Sequence, residues 1–181
     1  PNNMYRVYAI VDDQCNQSLA SPELFDALNI MSSPIHYTLT TCMGKKAQNG
    51  RQAHGMKLRS LDTAVTMDLP LLMECDDIPN ETSEIPTPEV AKSYPHLLRI
   101  ASSIPEFDVN SKIQLLIGRD LIEAHHIEEQ ITGPRGEPFA QRLSLGWAII
   151  GEVCLGRLHR RTSVNVNKVS ILNDGRVTCS Q

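Results

Sequence analysis

Two adjacent carboxylates, Asp12 and Asp13, follow directly on the apolar run Met4 to Val11 in "YAIVDDQCN". A carboxylate where a strand leaves the core can take a proton from water or give one to a carbonyl oxygen. Two carboxylates held close together would share one proton, because two close like charges cannot both ionise cheaply. Such a pair titrates as a unit. Asp12 and Asp13 do not form it with each other, because neighbours on an extended segment point to opposite faces. The chain has no internal repeat and no second loop of this type. One chain therefore offers a single carboxylate of such a pair, and a pair would need a second copy across a two-fold axis, with Asp12 near that axis. Asp13 is the second choice for the inward acid.

Other reactive side chains fall to plainer roles. Ser21, followed by Pro22, suits a helix cap better than a nucleophile, and Ser18 has no nucleophile signature. Cys15 stands beside the acids with no His near it in sequence. His125 and His126 lie among Glu123, Glu128 and Glu129 without a partner at metal-ligand spacing. They read as a solvated helix end, and no metal site is expected. Trp147 reads as a core or interface anchor. The glycines of "IGRD" and "GPRG" lack the Lys and the spacing of a phosphate loop. No organic cofactor is implied.

The elements that must hold the acids come next. Met4 to Val11 reads as a strand that only Arg6 interrupts. "LASPELFDALNI" reads as a short helix with Ser21 as N-cap, Pro22 first and Glu23 at the positive end. Leu24, Ala27 and Leu28 share its apolar face, and Asn29 can close it. "IHYTLTTC" is rich in β-branched residues. "GKKAQNGRQ" reads as a polar, glycine-punctuated turn. Met56, Leu58 and Ser60 alternate with Lys57 and Arg59, and Val65, Met67 and Leu69 with Thr66 and Asp68, which predicts an antiparallel meander. Residues 76–112 change character. They are rich in proline and acids and carry a short helix that Pro95 should kink or split. "KIQLLIGRDLIEAHH" predicts a buried strand, a Gly and a helix, with Asp120 as a helix-start residue. "LSLGWAIIGEVCLG" predicts late strands, and beyond Arg157 the pattern fades. The expected organisation is one domain over 1–156 with an insertion at 76–112, then a partly irregular extension over 157–181.

Bulk properties narrow the classes. With 181 residues, the chain can bury one sizeable core. A net charge of -4 argues against a general nucleic-acid binder, although Arg157, His159, Arg160 and Arg161 form a small basic patch. No apolar run approaches the roughly 20 residues that span a bilayer, so no membrane partner is expected. The start lacks the apolar core and cleavage site of a signal peptide, and its opening Pro points to a longer parent chain. Five widely spaced cysteines, an odd number, suggest reduced thiols and a cytoplasmic location.

Two stretches resemble a known family. "YAIVDDQCN" resembles the acid loop of retropepsin-like aspartic proteases, and "LLIGRDL" closely resembles their second, Gly-terminated strand and following helix. "LGWAIIGE" and the helix signal "SLASPELFDALNI" are similar to the protease region of BEL/Pao-type retroelement polyproteins. The resemblance covers roughly residues 4–152. It implies that Asp12 falls at the catalytic Asp. Asp13 falls where a hydroxyl residue is usual, Gln14 where Gly is usual, Cys15 at a small position and Asn16 where an acid is common. By the same analogy Gly118, Arg119 and Asp120 support the loop, with Arg119 reaching back towards Asn16.

The resemblance implies a mainly β fold: a closed antiparallel barrel of retropepsin type with short helices. It implies an aspartic endopeptidase that acts as a homodimer on an extended polypeptide, with a flap closing over the substrate, for which the turn carrying Gly44, Lys45, Lys46 and Gly50 is the candidate. The competing expectation is a catalytically inactive module of the same fold, kept for dimerisation or peptide binding. Gln14 and Asp13 motivate it, since a glutamine can crowd the cleft and an ionised carboxylate only accepts hydrogen bonds.

Overall fold

The structure, a computed structural model, describes residues 4–62, 64–151, 169–171 and 177–179. Its elements in chain order begin with β1 (Tyr8–Val11), β2 (Leu19–Ala20), α1 (Pro22–Leu28), β3 (Ser33–Thr41) and β4 (Gly44–Ala53). There follow β5 (Lys57–Arg59), β6 (Thr66–Asp68), β7 (Leu72–Glu74), a 3₁₀ turn at Thr82–Glu84, α2 (Pro88–Lys92) and a 3₁₀ segment at Pro95–Ser103. Then come β8 (Ile113–Ile117), a 3₁₀ turn at Ile122–His125, β9 (Ile127–Ile131), β10 (Phe139–Leu143), β11 (Gly146–Ile150), β12 (Val169–Ile171) and β13 (Val177–Cys179). The described chain is mainly β, with short helices.

The principal sheet has the order β1-β8-β2-β7-β4-β3. Strand β8, paired on both sides, has Gln114 to Ile117 all buried. A strand covered on both faces has no need of alternation, which explains the nearly unbroken run "IQLLI". β1 pairs with it in parallel, Val11 opposite Ile117, and β2 pairs with it antiparallel, Leu19 opposite Leu116. β2 also pairs in parallel with β7.

The expected closed antiparallel barrel is not present among the described residues. The sheet is mixed, and β1 and β3 are its two edges. The parallel pair has a physical origin. Asp12 and Gly118 leave the core at the same end only if β1 and β8 run the same way, and parallel neighbours need a long crossover. Residues 12–112 supply it.

The segment read as a polar turn, Gly44 to Gly50, is instead part of strand β4, which pairs with β3 along its whole length from Thr41–Gly44 to Ser33–Gln52. The connection is Cys42 and Met43 alone, and Gly44 adopts φ 118°, a conformation that favours glycine. This end of β4 is polar because it faces solvent, with Gly44 to Ala47 all exposed.

One core gathers Phe25 and Leu24 of α1 with Leu72, Leu115, Ile117 and Leu121. Helix α1 is capped as its sequence predicts: Ser21 Oγ accepts from Leu24 N at 3.3 Å, Pro22 opens the first turn, and Asn29 ends it at φ 48°. Its buried residues, however, are Leu24 and Phe25, and Ala27 of the expected apolar face is exposed. Burying Leu24 and Phe25 contributes about 1.5–3 kcal/mol each. A second core lies between the 76–112 segment and the β11-β10-β9 sheet. Val90, Leu97 and Ile100 meet Ile131, Ala140 and Ile149 there, with Trp147 half-buried against them. Pro95 separates α2 from the 3₁₀ segment. β5 and β6 pair antiparallel, with Met56, Leu58 and Met67 turned towards the first core. β12 and β13 pair antiparallel within the 157–181 extension, and the basic patch at Arg157 to Arg161 lies outside the described residues.

Candidate active site

Asp12 stands one residue beyond β1 and continues its ladder, donating its N–H to Ile117 O at 2.9 Å. The loop then folds back on the carboxylate. Gln14 N donates to Asp12 Oδ1 at 2.9 Å, and Cys15 N donates to Asp12 O at 3.3 Å. Asp12 is 9% exposed. Its second oxygen, Oδ2, accepts no hydrogen bond from a described residue and yet is not sealed in the interior. One oxygen is thus fixed and the other open. Asp13 points outward and is exposed, with Gln14 Nε2 donating to its Oδ1 at 3.2 Å. Adjacent positions on the extended chain separate the two acids, as the alternation of an extended strand requires.

The Gly118 turn lies directly against this loop. Gly118 N donates to Ser18 Oγ at 3.1 Å, and Arg119 N donates to Cys15 O at 2.8 Å. A Cβ on Gly118 would lie 2.7 Å from Gln17 C and 2.9 Å from Cys15 O, which is a backbone collision that no rotamer relieves. Glycine is required here by contact.

The link between loop and turn is Asp120. Its carboxylate accepts from Ser18 Oγ at 2.7 Å, from Ser18 N at 3.0 Å and from Gln17 Nε2 at 2.9 Å. Gln17 Nε2 also donates to Leu71 O, which ties the loop to the residue before β7. The expected reach of the Arg119 side chain to Asn16 does not occur. Both residues are exposed, and Arg119 contributes through its backbone N–H. Asp120 takes the bracing role because Ser18 is fully buried and its donors need an acceptor there. Ser18 and Gln17 thereby join the site. No local signal marks them, since their partner is 102 or 103 residues away.

Cys15 is half-buried and donates its thiol to Gln17 O at 3.1 Å. Burial pushes that thiol up from its ordinary range, with the nearby Asp12 and Asp120 adding to the effect, so it is a poor nucleophile. Cys75 is buried and shifted up for the same leading reason. Cys15, Cys42 and Cys75 are thiols, not disulfides. Leu19, Leu116 and Cys75 form a small apolar cluster against which Ile10, Cys15, Ile35, Tyr37 and Leu39 pack, so that β3 as far as Leu39 and Cys15 of the acid loop cover the same cluster. Of the flap candidates, Gly44 sits at the hairpin corner, and Lys45, Lys46 and Gly50 lie along β4 opposite Thr40, Leu39 and Ile35. Lys46 Nζ and Gln48 Nε2 both donate to Asp77 Oδ2, at 2.9 and 2.8 Å.

A surface cleft of about 400 Å³ lies between Pro22, Ile78, Thr82 and Lys112 and includes no acid-loop residue. Among the described residues no group of three or more His, Cys, Asp or Glu side chains is arranged to hold a metal ion. No helix among them is long and apolar enough to cross a membrane. Compared with known proteins, the chain matches no described family, no curated protein and no solved structure.

Proposed function

We propose that the chain is one half of a retropepsin-like aspartic endopeptidase of the BEL/Pao retroelement type, active as a homodimer. The reading is supported by one observation above the others. Asp12 is held at the mouth of β1 with one carboxylate oxygen anchored to Gln14 N and the other open, directly beside the Gly118 turn. Two such groups across a two-fold axis would share a proton, as aspartic-protease dyads do. One carboxylate then takes a proton from the attacking water while the other donates to the peptide carbonyl. The six-stranded sheet is, on this reading, the wall of a retropepsin-type barrel. The substrate polypeptide lies as an added strand beneath the β3–β4 hairpin. Reduced thiols suit a cytoplasmic setting.

A second reading is a catalytically inactive module of the same type, used for dimerisation or peptide binding. The contact of Gln14 Nε2 with Asp13 favours it, because it puts an amide side chain and a second acid at the mouth of the loop.

The dependence of cleavage on protein concentration tests the half-site. Purified protein is assayed at acidic pH on a mixed peptide library. Specific activity that rises with concentration, alongside dimer in sedimentation, supports the homodimeric enzyme. Cleavage by a monomer, with constant specific activity, contradicts it. A clean dimer without cleavage at any pH supports the inactive module.

A further inference from the structure

We propose that His125 is a positioning residue for the acid loop, acting through the Gly118–Arg119 peptide group; the catalytic part of this inference rests on the protease reading above. Two consecutive peptide groups clamp the loop. In the first, Ile117 O accepts from Asp12 N at 2.9 Å while Gly118 N donates to Ser18 Oγ at 3.1 Å. In the second, Arg119 N donates to Cys15 O at 2.8 Å, and the oxygen at its other end, Gly118 O, is held 2.7 Å from His125 Nε2. Leu121 N donates to the same oxygen at 3.2 Å.

These contacts matter because the joint between the two peptide groups is a glycine. Gly118 must lack a Cβ because Gln17 and Cys15 approach so closely, and a residue without a Cβ has the least intrinsic restraint on its backbone rotation. Rotation of the second group would withdraw the Arg119 N–H from Cys15 O and release the end of the acid loop. A donor on the outer oxygen opposes that rotation. It also polarises the peptide, which strengthens the bond made by the N–H at the other end. To donate to a carbonyl, Nε2 must carry the hydrogen. The imidazole is fixed from its own side by the 3₁₀ turn Ile122–His125, whose residue Ala124 is fully buried beside Leu121 in the first core. His125 is thus the outer end of a line running from a rigid core element, through one peptide group, to the loop that carries Asp12.

The test compares His125→Phe, which keeps a ring and loses the donor, with His125→Gln, whose amide can replace Nε2–H. Amide hydrogen exchange at Arg119 should accelerate about tenfold or more in His125→Phe while Gln141, in the distant β10, is unchanged, and His125→Gln should return it to near the wild-type rate. In the cleavage assay His125→Phe should lower kcat and leave KM unchanged, and His125→Gln should restore kcat. Arg119 exchange that is unchanged in His125→Phe overturns the inference, as does acceleration that includes Gln141 equally. Should His125→Phe not fold, His125→Asn gives the same reading, because its amide stops short of the Gly118 oxygen. Should the wild type cleave nothing, the protease reading fails and the exchange comparison alone decides the positioning role.

Discussion

Ser18 Oγ lies 2.7 Å from Asp120 Oδ1, and Ser18 N lies 3.0 Å from Asp120 Oδ2, so one carboxylate grips both donors of a fully buried serine. Ser18 Oγ is also the acceptor for Gly118 N. The hydroxyl therefore passes the hold of Asp120 on to the turn beside Asp12. Without the acceptor, buried donors at Ser18 would lose their partners, which is the costly side of hydrogen bonding.

Asp120→Asn keeps the size of the side chain and must turn its NH2 towards one of those donors. It should destabilise the fold by about 2 kcal/mol. Ser18→Ala should lose part of the same energy, and the double variant should cost less than the sum. Urea midpoints of the four proteins check this. Strict additivity of the two changes would show that Asp120 and Ser18 act independently.

Gly118→Ala should be the most damaging glycine substitution at the site. Its Cβ meets backbone at 2.7 Å, so the loop and the turn must move apart. A cost of about 3 kcal/mol is expected. Gly136→Ala is the comparison, since it meets nothing within 4 Å and is opposed only by φ 88°, a strain of about 1 kcal/mol. Thermal melting of both variants checks the order. Equal melting temperatures would mean that the loop gives way without cost.

Gly118 and Asp120 differ in how much of their role lies in neighbouring sequence. Local chemistry was legible. The Ser21-Pro22 start of α1, its stop at Asn29 and the alternation around Leu58 and Met67 all reflect neighbours within a few residues. The Gly118 turn was legible too, because an apolar run ending in glycine before polar residues is a local pattern. The Asp120–Ser18 clamp was not, since its partners meet only after the long crossover between β1 and β8. The resemblance names Asp120 as loop support alongside Gly118 and Arg119, but it aims the Arg119 side chain at Asn16, and both of those face solvent. β4 reads as a turn because hydrophobic alternation, the usual strand signal, is missing from a strand whose first four residues are all exposed. Sheet closure is likewise a property of long-range pairing, and no local run of residues encodes it.

Arg51 joins three elements. It forms a forked pair with Glu74 through Nε and Nη2 at 2.9 and 2.7 Å, reaches Asp26 Oδ1 through Nη1 and lies over the Phe25 ring, 5.2 Å from its centroid. Its guanidinium holds the Glu74 carboxyl below the ordinary value of 4.5. The depressed value means that the pair's stabilisation is complete above that ordinary value and is lost as pH falls through the lower, folded one. Because the arginine is about a third exposed, solvent screens the pair, and about 1 kcal/mol is expected at neutral pH. A coupling between Arg51→Met and Glu74→Gln that is present at pH 7 and weaker at pH 3 is the predicted outcome. A coupling that grows on acidification would reverse the sign of this assignment.

The thiols should differ in reactivity. Cys42, at the hairpin connection, is exposed, whereas burial raises both Cys15 and Cys75. Iodoacetamide at neutral pH, mapped by peptide mass, should label Cys42 at least about tenfold faster than Cys75, with Cys15 also slower than Cys42. Fast labelling of Cys15 would indicate a thiolate there and revive the nucleophile that its bond to Gln17 O argues against.

The most direct measurement sets Asp12 against Asp13 in the same assay. The wild type, Asp12→Asn and Asp13→Asn are incubated at acidic pH with a mixed peptide library, and each is checked for dimer by sedimentation. The account predicts that Asp12→Asn remains dimeric and cleaves nothing, while Asp13→Asn still cleaves. Cleavage that survives in Asp12→Asn would contradict it.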